Sequence, residues 1–125
     1  MPMTSRDIAT DFLRMCALGE VREAYERYVS PDFVHHNAWF PGDRESLLLA
    51  MEQSAAVEPN KSFEAKQVID GGDKVAVLSH LRRADADVEY AVVHIARFGD
   101  DGKIAELWDL AQEIPKDSPN TLGMF

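Results

Sequence analysis

Residues 92–115 read VVHIARFGDDGKIAELWDLAQEIP. Two strand-like runs flank Gly99-Asp100-Asp101-Gly102, a glycine-bracketed acidic tetrapeptide of the kind that closes a hairpin. The first run belongs to a strand predicted over Glu89 to Phe98, the second to a long strand over Lys103 to Ile114. Pro115 ends the sheet because it has no N–H to give to a ladder. Pairing Phe98 with Lys103 across the turn sets His94 opposite Leu107 and Val92 opposite Asp109. His94 and Asp109 are then diagonal neighbours on one face. The same face carries Val92, Ala96, Phe98, Leu107 and Ala111, an apolar setting for two ionisable groups. A slip of one residue, or a bulge at Gly102, would send His94 and Asp109 to opposite faces.

Upstream of this hairpin the pattern is again that of strands. Ser62 to Ile69 and the Val- and Leu-rich run Lys74 to Arg83 are joined by the turn Asp70-Gly71-Gly72-Asp73. Ala84 to Asp87 is a polar break before the third strand, and the strands read as an antiparallel meander. The first part of the chain is helical by period. Ile8, Phe12, Met15 and Cys16 form one stripe behind a Thr4/Asp7 capping box, with Gly19 as a stop. Val21, Ala24, Tyr25 and Tyr28 form a second stripe, ended by Ser30-Pro31. A short extended segment, Asp32 to Asn37, leads to the Pro41-Gly42 turn. Asp43 then caps a third helix with Leu47, Leu48, Met51 and Ala55 as its buried side, closed by Pro59-Asn60. Helices followed by a meander predict an α+β domain with helices packed on one face of a curved antiparallel sheet. Wherever the helices leave the concave side uncovered, a pocket is expected.

Length and charge bound what such a domain does. The chain has 125 residues, 46% of them hydrophobic, and 13 basic against 22 acidic side chains give a formal charge of −9. That length suits one domain, 1–125, with residues 116–125 as an irregular tail that holds Leu122, Met124 and Phe125 ready for a neighbouring surface. The acidic surplus repels nucleic-acid backbones and anionic lipid, so neither is an expected partner. Cys16 is the only cysteine, which leaves no intrachain disulfide or Cys-cluster metal site. The N-terminus does not read as a signal peptide, and no apolar run is long enough to span a bilayer, so a cytoplasmic location is expected.

The four histidines, His35, His36, His80 and His94, hold most of the candidate chemistry. In an apolar pocket, Asp109 can abstract a proton from carbon while His94 protonates or polarises an oxygen. His36, Asn37 and His80 are candidate substrate-binding residues on the pocket rim. A two-His, one-carboxylate metal site from His80, His94 and Asp109 is an alternative on adjoining strands. Their spacing matches no zinc-binding pattern, and neither metal nor other cofactor is assigned. Trp39, Phe40 and Trp108 read as packing or dimer-contact residues. No phosphate-cradling glycine motif, serine-nucleophile elbow or Cys/His nucleophile context is present. The bland reading stands beside the catalytic one: a hydrogen-bonded core histidine and an aspartate that anchors a loop.

Three stretches together, FVHHNAWFPGDRESL, VIDGGDKVAVLSHLRR and VVHIARFGDDGKIAELWDLAQEIP, resemble the SnoaL-like polyketide cyclases of the nuclear transport factor two-like superfamily. The resemblance runs from about Ile8 to Pro115. It implies a cone-shaped α+β barrel, commonly a homodimer through the outer sheet face, with a deep pocket used without metal or organic cofactor. It also implies ring closure by intramolecular aldol chemistry on a small apolar carbonyl compound. By position the carboxylate is Asp109, the histidine partner is His94, and His36-Asn37 match the short-strand motif. Leu107 stands where relatives often have a histidine. Similar cones also serve as isomerases, dehydratases, epoxide hydrolases and non-catalytic ligand-binding or dimerisation domains, so the fold alone does not choose among them.

Overall fold

The computed structural model describes residues 2–125. Helix α1 spans Ser5–Ala17. Thr4 closes its start by accepting from the Asp7 amide while the Asp7 carboxylate accepts from the Thr4 N–H, so two otherwise unpaired donors are satisfied together. Phe12, Met15 and Cys16 are buried along one stripe, and Gly19 turns the chain at φ +91°, a conformation glycine adopts without strain. Helix α2, Val21–Tyr28, buries Val21, Ala24, Tyr25 and Tyr28, the spacing that the sequence predicts. Helix α3, Arg44–Val57, starts where Asp43 accepts from the Ser46 amide. Its Leu47 and Leu48 are buried, whereas Met51 and Ala55 are only partly covered.

Strand β1 is Val29–His36, followed after α3 by β2 (Lys61–Asp70), β3 (Lys74–Arg83), β4 (Val88–Phe98) and β5 (Ile104–Glu113). The sheet order is β1-β5-β4-β3-β2. From β2 to β5 it is the expected antiparallel meander, but β1 pairs with β5 in parallel. The all-antiparallel expectation is therefore corrected. A parallel pair needs a long crossover between its strands, and everything from α3 to β4 serves as one here. β1 also begins three residues before Asp32 and contains Pro31, which a strand at the sheet edge tolerates.

The β4–β5 register differs from the simple hairpin by two residues. Phe98 pairs with Ile104 rather than Lys103, and Arg97 pairs with Glu106, leaving Ala105 as a bulge. One residue of the difference comes from the wider turn, in which Gly99 N–H donates to the Lys103 carbonyl and Gly102 sits at φ +76°. The other comes from the bulge. Because side chains alternate with period two, the two single slips cancel in phase. His94 and Asp109 stay on the same face, and they are directly opposite each other instead of diagonal.

That face is the inner one. Val75, Val77, Ser79, Val92, Ala96 and Leu107 are all buried there against the helices. The tail after β5 lies on the other side of the sheet: Lys116 pairs with Asp87, and the Phe125 ring rests 5.0 Å from His80 and 5.5 Å from the Lys66 ammonium. Phe125 thus covers its own sheet, while Leu122 projects into solvent. Among the described residues no helix is long and apolar enough to cross a membrane.

Candidate functional site

A cavity of about 270 Å³ opens between α1, α3 and the inner face of the sheet. Its walls are mainly apolar, with Leu13, Met51, Phe63, Leu81 and Val92 among them, and Asn37, His94 and Asp109 supply a polar corner. Met51 packs against the core, with its sulfur 3.6 Å from the Tyr25 hydroxyl, and its partial exposure is the side that faces the cavity.

Asp109 accepts one side-chain hydrogen bond and has an imidazole beside it. Asn37 Nδ2 donates to its Oδ2 at 2.8 Å, and His94 Nε2 lies 3.3 Å from its Oδ1. Both His94 and Asp109 are largely shielded, with side chains 12% and 20% exposed. Desolvation pushes the His94 imidazolium down from its ordinary range and outweighs the opposing pull of the Asp109 charge, so the resting ring is neutral. Facing it across the cavity, Phe63 packs its ring 6.5 Å from the imidazole.

Asn37 arrives through the parallel pairing that sequence reading missed. His35 aligns with Leu107 and His36 with Trp108, so the chain alternates inward at His35, outward at His36 and inward again at Asn37 beside Asp109. His35, which reasoning from sequence left without a role, is the strut of this loop. Its Nε2 hydrogen-bonds the Pro41 carbonyl at 2.6 Å, and its Nδ1 accepts from the Asn37 amide at 3.0 Å. A carbonyl can only accept and an amide N–H can only donate, so Nε2 carries the proton of this contact and Nδ1 presents its lone pair. The Asn37 side chain in turn accepts from the Trp39 amide, which leaves its NH2 aimed at Asp109. Period-two alternation through His35, His36 and Asn37 shows in the sequence only that His36 and Asn37 face opposite sides, and not which of them faces inward.

Two of the expected pocket residues do not reach it. His36 is on the outer face, 2.7 Å from Glu106 and stacked on Trp108. His80 is also outside, 2.7 Å from Glu89 and under Phe125. Both are corrected as substrate contacts, because each occupies the strand position whose parity points away from the helices. The His80, His94 and Asp109 trio is split across the sheet for the same reason. Arg97 is outside as well, donating to Glu106. Phe40, read as packing, lines the cavity instead, and Trp39 is exposed.

The remaining polar groups of the wall are occupied. Lys61 Nζ donates to the carbonyls of Ser54 and Glu58 and to the Ser54 hydroxyl, closing the end of α3. Glu58 takes a two-pronged bond from Arg83, which ties that helix end to β3. Burial pushes the Cys16 thiol far above its ordinary range, so it stays protonated and is no nucleophile.

A curved mixed sheet that shelters a helix-capped, mostly apolar cavity is the architecture of the cone-shaped α+β folds of the nuclear transport factor two-like group. Within that group the chain belongs to the SnoaL-like domain family, whose model matches residues 9–107. Solved structures agree on the fold. IdmH from Streptomyces antibioticus, a candidate polyketide cyclase, superposes with a TM-score of 0.74 at 21% identity, over 88% of this chain and 93% of that one. A candidate polyketide cyclase from Acidithiobacillus ferrooxidans gives 0.72 at 15% identity, over 90% and 92%. AclR from Streptomyces galilaeus, a candidate hydroxylase, gives 0.66 at 22% identity, over 87% and 81%. No curated protein matches the chain by sequence.

Proposed function

We propose that this protein is a cyclase- or isomerase-type acid–base enzyme that enolises a small apolar carbonyl compound, with Asp109 as general base and His94 as the group that polarises or protonates the oxygen. The observation that carries this reading is the Asn37–Asp109–His94 cluster in an otherwise apolar cavity. A carboxylate facing an apolar hole can take a proton from carbon without competing water. A neutral imidazole beside it supplies an N–H toward the oxygen on which charge develops. Asn37 fixes the carboxylate, so its second oxygen faces the reacting carbon in a set orientation. The family membership and the two candidate cyclases of the same fold support ring closure through the enolate, an aldol step in which the new carbon–carbon bond forms within one molecule.

Cavity size bears on the substrate. A hole of about 150 Å³ accommodates benzene, so 270 Å³ has room for one or two rings of the ligand beside the polar corner. The same reading takes the outer sheet face, where Ile69 and Leu110 are exposed, as the contact surface of a homodimer.

The test is deuterium exchange alpha to the carbonyl of one- and two-ring ketones and 1,3-diketones, followed by proton NMR in deuterated water. The wild-type protein is expected to accelerate exchange, and D109N to lose about 100-fold or more of that acceleration while melting within a few degrees of wild type. Equal acceleration by wild type and D109N would remove Asp109 as the base, and tight ligand binding with no exchange by either would establish a binding domain instead.

A further inference from the structure

Among the described residues, three buried side-chain polar atoms have no hydrogen-bond partner: Arg44 Nε, Ser79 Oγ and His94 Nδ1. The Arg44 guanidinium is engaged elsewhere, donating to the Tyr25 carbonyl and lying over the Tyr25 ring. The other two belong together. On the β3–β4 ladder Val77 pairs with His94 and Ser79 pairs with Val92. Ser79 and His94 are therefore diagonal neighbours on the inner face, and Ser79 is fully buried. Diagonal residues on adjacent strands are about 7–8 Å apart at the backbone, a separation that a serine hydroxyl and an imidazole nitrogen close with one water between them.

The imidazole has an unmet need on that side. Nε2 faces a carboxylate oxygen of Asp109 at 3.3 Å, and a carboxylate only accepts, so the proton belongs on Nε2. Nδ1 is then a buried acceptor without a partner, and a buried acceptor without a donor is costly. On the same face Ser79 holds an unused donor.

We propose that Ser79 is the positioning residue of His94: its hydroxyl donates to Nδ1 through one bridging water and holds the ring as the tautomer protonated on Nε2. This deepens the acid–base reading above and rests on it for its consequence. With the proton fixed on Nε2, His94 can only donate toward the substrate oxygen, and Asp109 is left as the single base. Without Ser79 the ring would be free to turn its lone pair toward the carboxylate, which suits neither role.

The tautomer is read on substrate-free, nitrogen-15-labelled full-length protein from the imidazole nitrogen shifts and their couplings to ring protons. Wild type is expected to show His94 as one species, with protonated Nε2 and unprotonated Nδ1. S79A should convert this to a mixture of tautomers, lower the melting temperature, and reduce alpha-proton exchange about ten-fold in kcat with little change in KM. S79C, which keeps a weak donor, should fall between. A wild-type ring protonated on Nδ1 would overturn the assignment. So would an S79A protein with unchanged His94 signals or a raised melting temperature, the result expected of a hydroxyl that is merely buried. The tautomer does not depend on turnover, so absence of exchange by wild type would refute the enzyme reading and leave the Ser79 assignment to be decided by the spectrum.

Discussion

The two faces of the sheet carry the same kind of pair in opposite surroundings. Outside, His36–Glu106 and His80–Glu89 each meet at 2.7 Å, shorter than the 3.3 Å of His94–Asp109 inside. Distance alone would select the outer pairs as catalytic. Their surroundings reverse that choice. Glu106 is shared between His36 and Arg97, and both hydrogen bonds hold its carboxyl below its ordinary range; such a carboxylate is a poor base. Neither outer pair borders the cavity. The inner pair borders a mainly apolar cavity, where a proton can be exchanged with a ligand and where burial disfavours the charged imidazole. A short contact at the surface reflects easy adjustment in water, and a longer one in a cavity reflects unused capacity.

The comparison can be broken most forcefully at Asn37, the neutral amide that holds Asp109 inside where the charged Arg97 holds Glu106 outside. N37A removes the bond that orients Asp109 and leaves both catalytic groups in place. Exchange alpha to the carbonyl is expected to fall by about 10- to 100-fold, or about 1.4–2.7 kcal/mol of barrier, mainly in kcat. An N37A protein with a wild-type exchange rate would show that Asp109 needs no orienting partner and that the inner cluster is no more organised than the outer pairs.

What was legible in the sequence was local. The α2 stripe of Val21, Ala24, Tyr25 and Tyr28, the Thr4/Asp7 capping box, and the ends of β3 at Lys74 and Arg83 depend on neighbours within a turn or on adjacent turn residues. The inward phase of His94 and Asp109 was legible too, although the register that produced it was not. A wider turn and the Ala105 bulge displaced the pairing by two residues, an even number, and parity survived. What could not be read was long-range. Nothing near His36 in the sequence announces that β1 will lie parallel to β5, so the choice between His36 and Asn37 as the inward residue had no local determinant. His80 was different: Val75, Val77, Ser79 and Leu81 alternate as the inner set, and their phase already placed His80 outside.

Acid stability sharpens the inner-outer contrast through His94. Burial lowers its affinity for a proton in the folded state below the ordinary histidine value of 6.5. As pH falls below about 6.5 the unfolded chain takes up this proton first, so the stability present above that pH is lost on acidification toward the lower folded value. One proton of difference corresponds to at most about 1.4 kcal/mol per pH unit. Urea midpoints measured from pH 7 to pH 5 are expected to fall for wild type and to fall less for H94Q. The depressed carboxyls of Asp11, Glu58 and Glu106 act in a separate window, below about pH 4.5. Equal slopes for wild type and H94Q between pH 7 and pH 5 would mean that His94 is no more sensitive than a surface histidine.

The smallest effects belong to the outer pairs. H36Q keeps a flat polar group over Trp108 and removes a titratable ring, and H80Q does the same beneath Phe125. Partly exposed ion pairs contribute about 0.2–1 kcal/mol and are screened by salt. Each variant is expected to shift stability by no more than about 0.5–1 kcal/mol, less at high ionic strength, and to leave alpha-proton exchange within two-fold of wild type. The measurement that matters is exchange: a ten-fold loss in either variant would mean that the outer face communicates with the cavity through β1 or β3. For H36Q the route would be the strand shared with His35 and Asn37, and N37A combined with H36Q would then give less than the product of the two single effects.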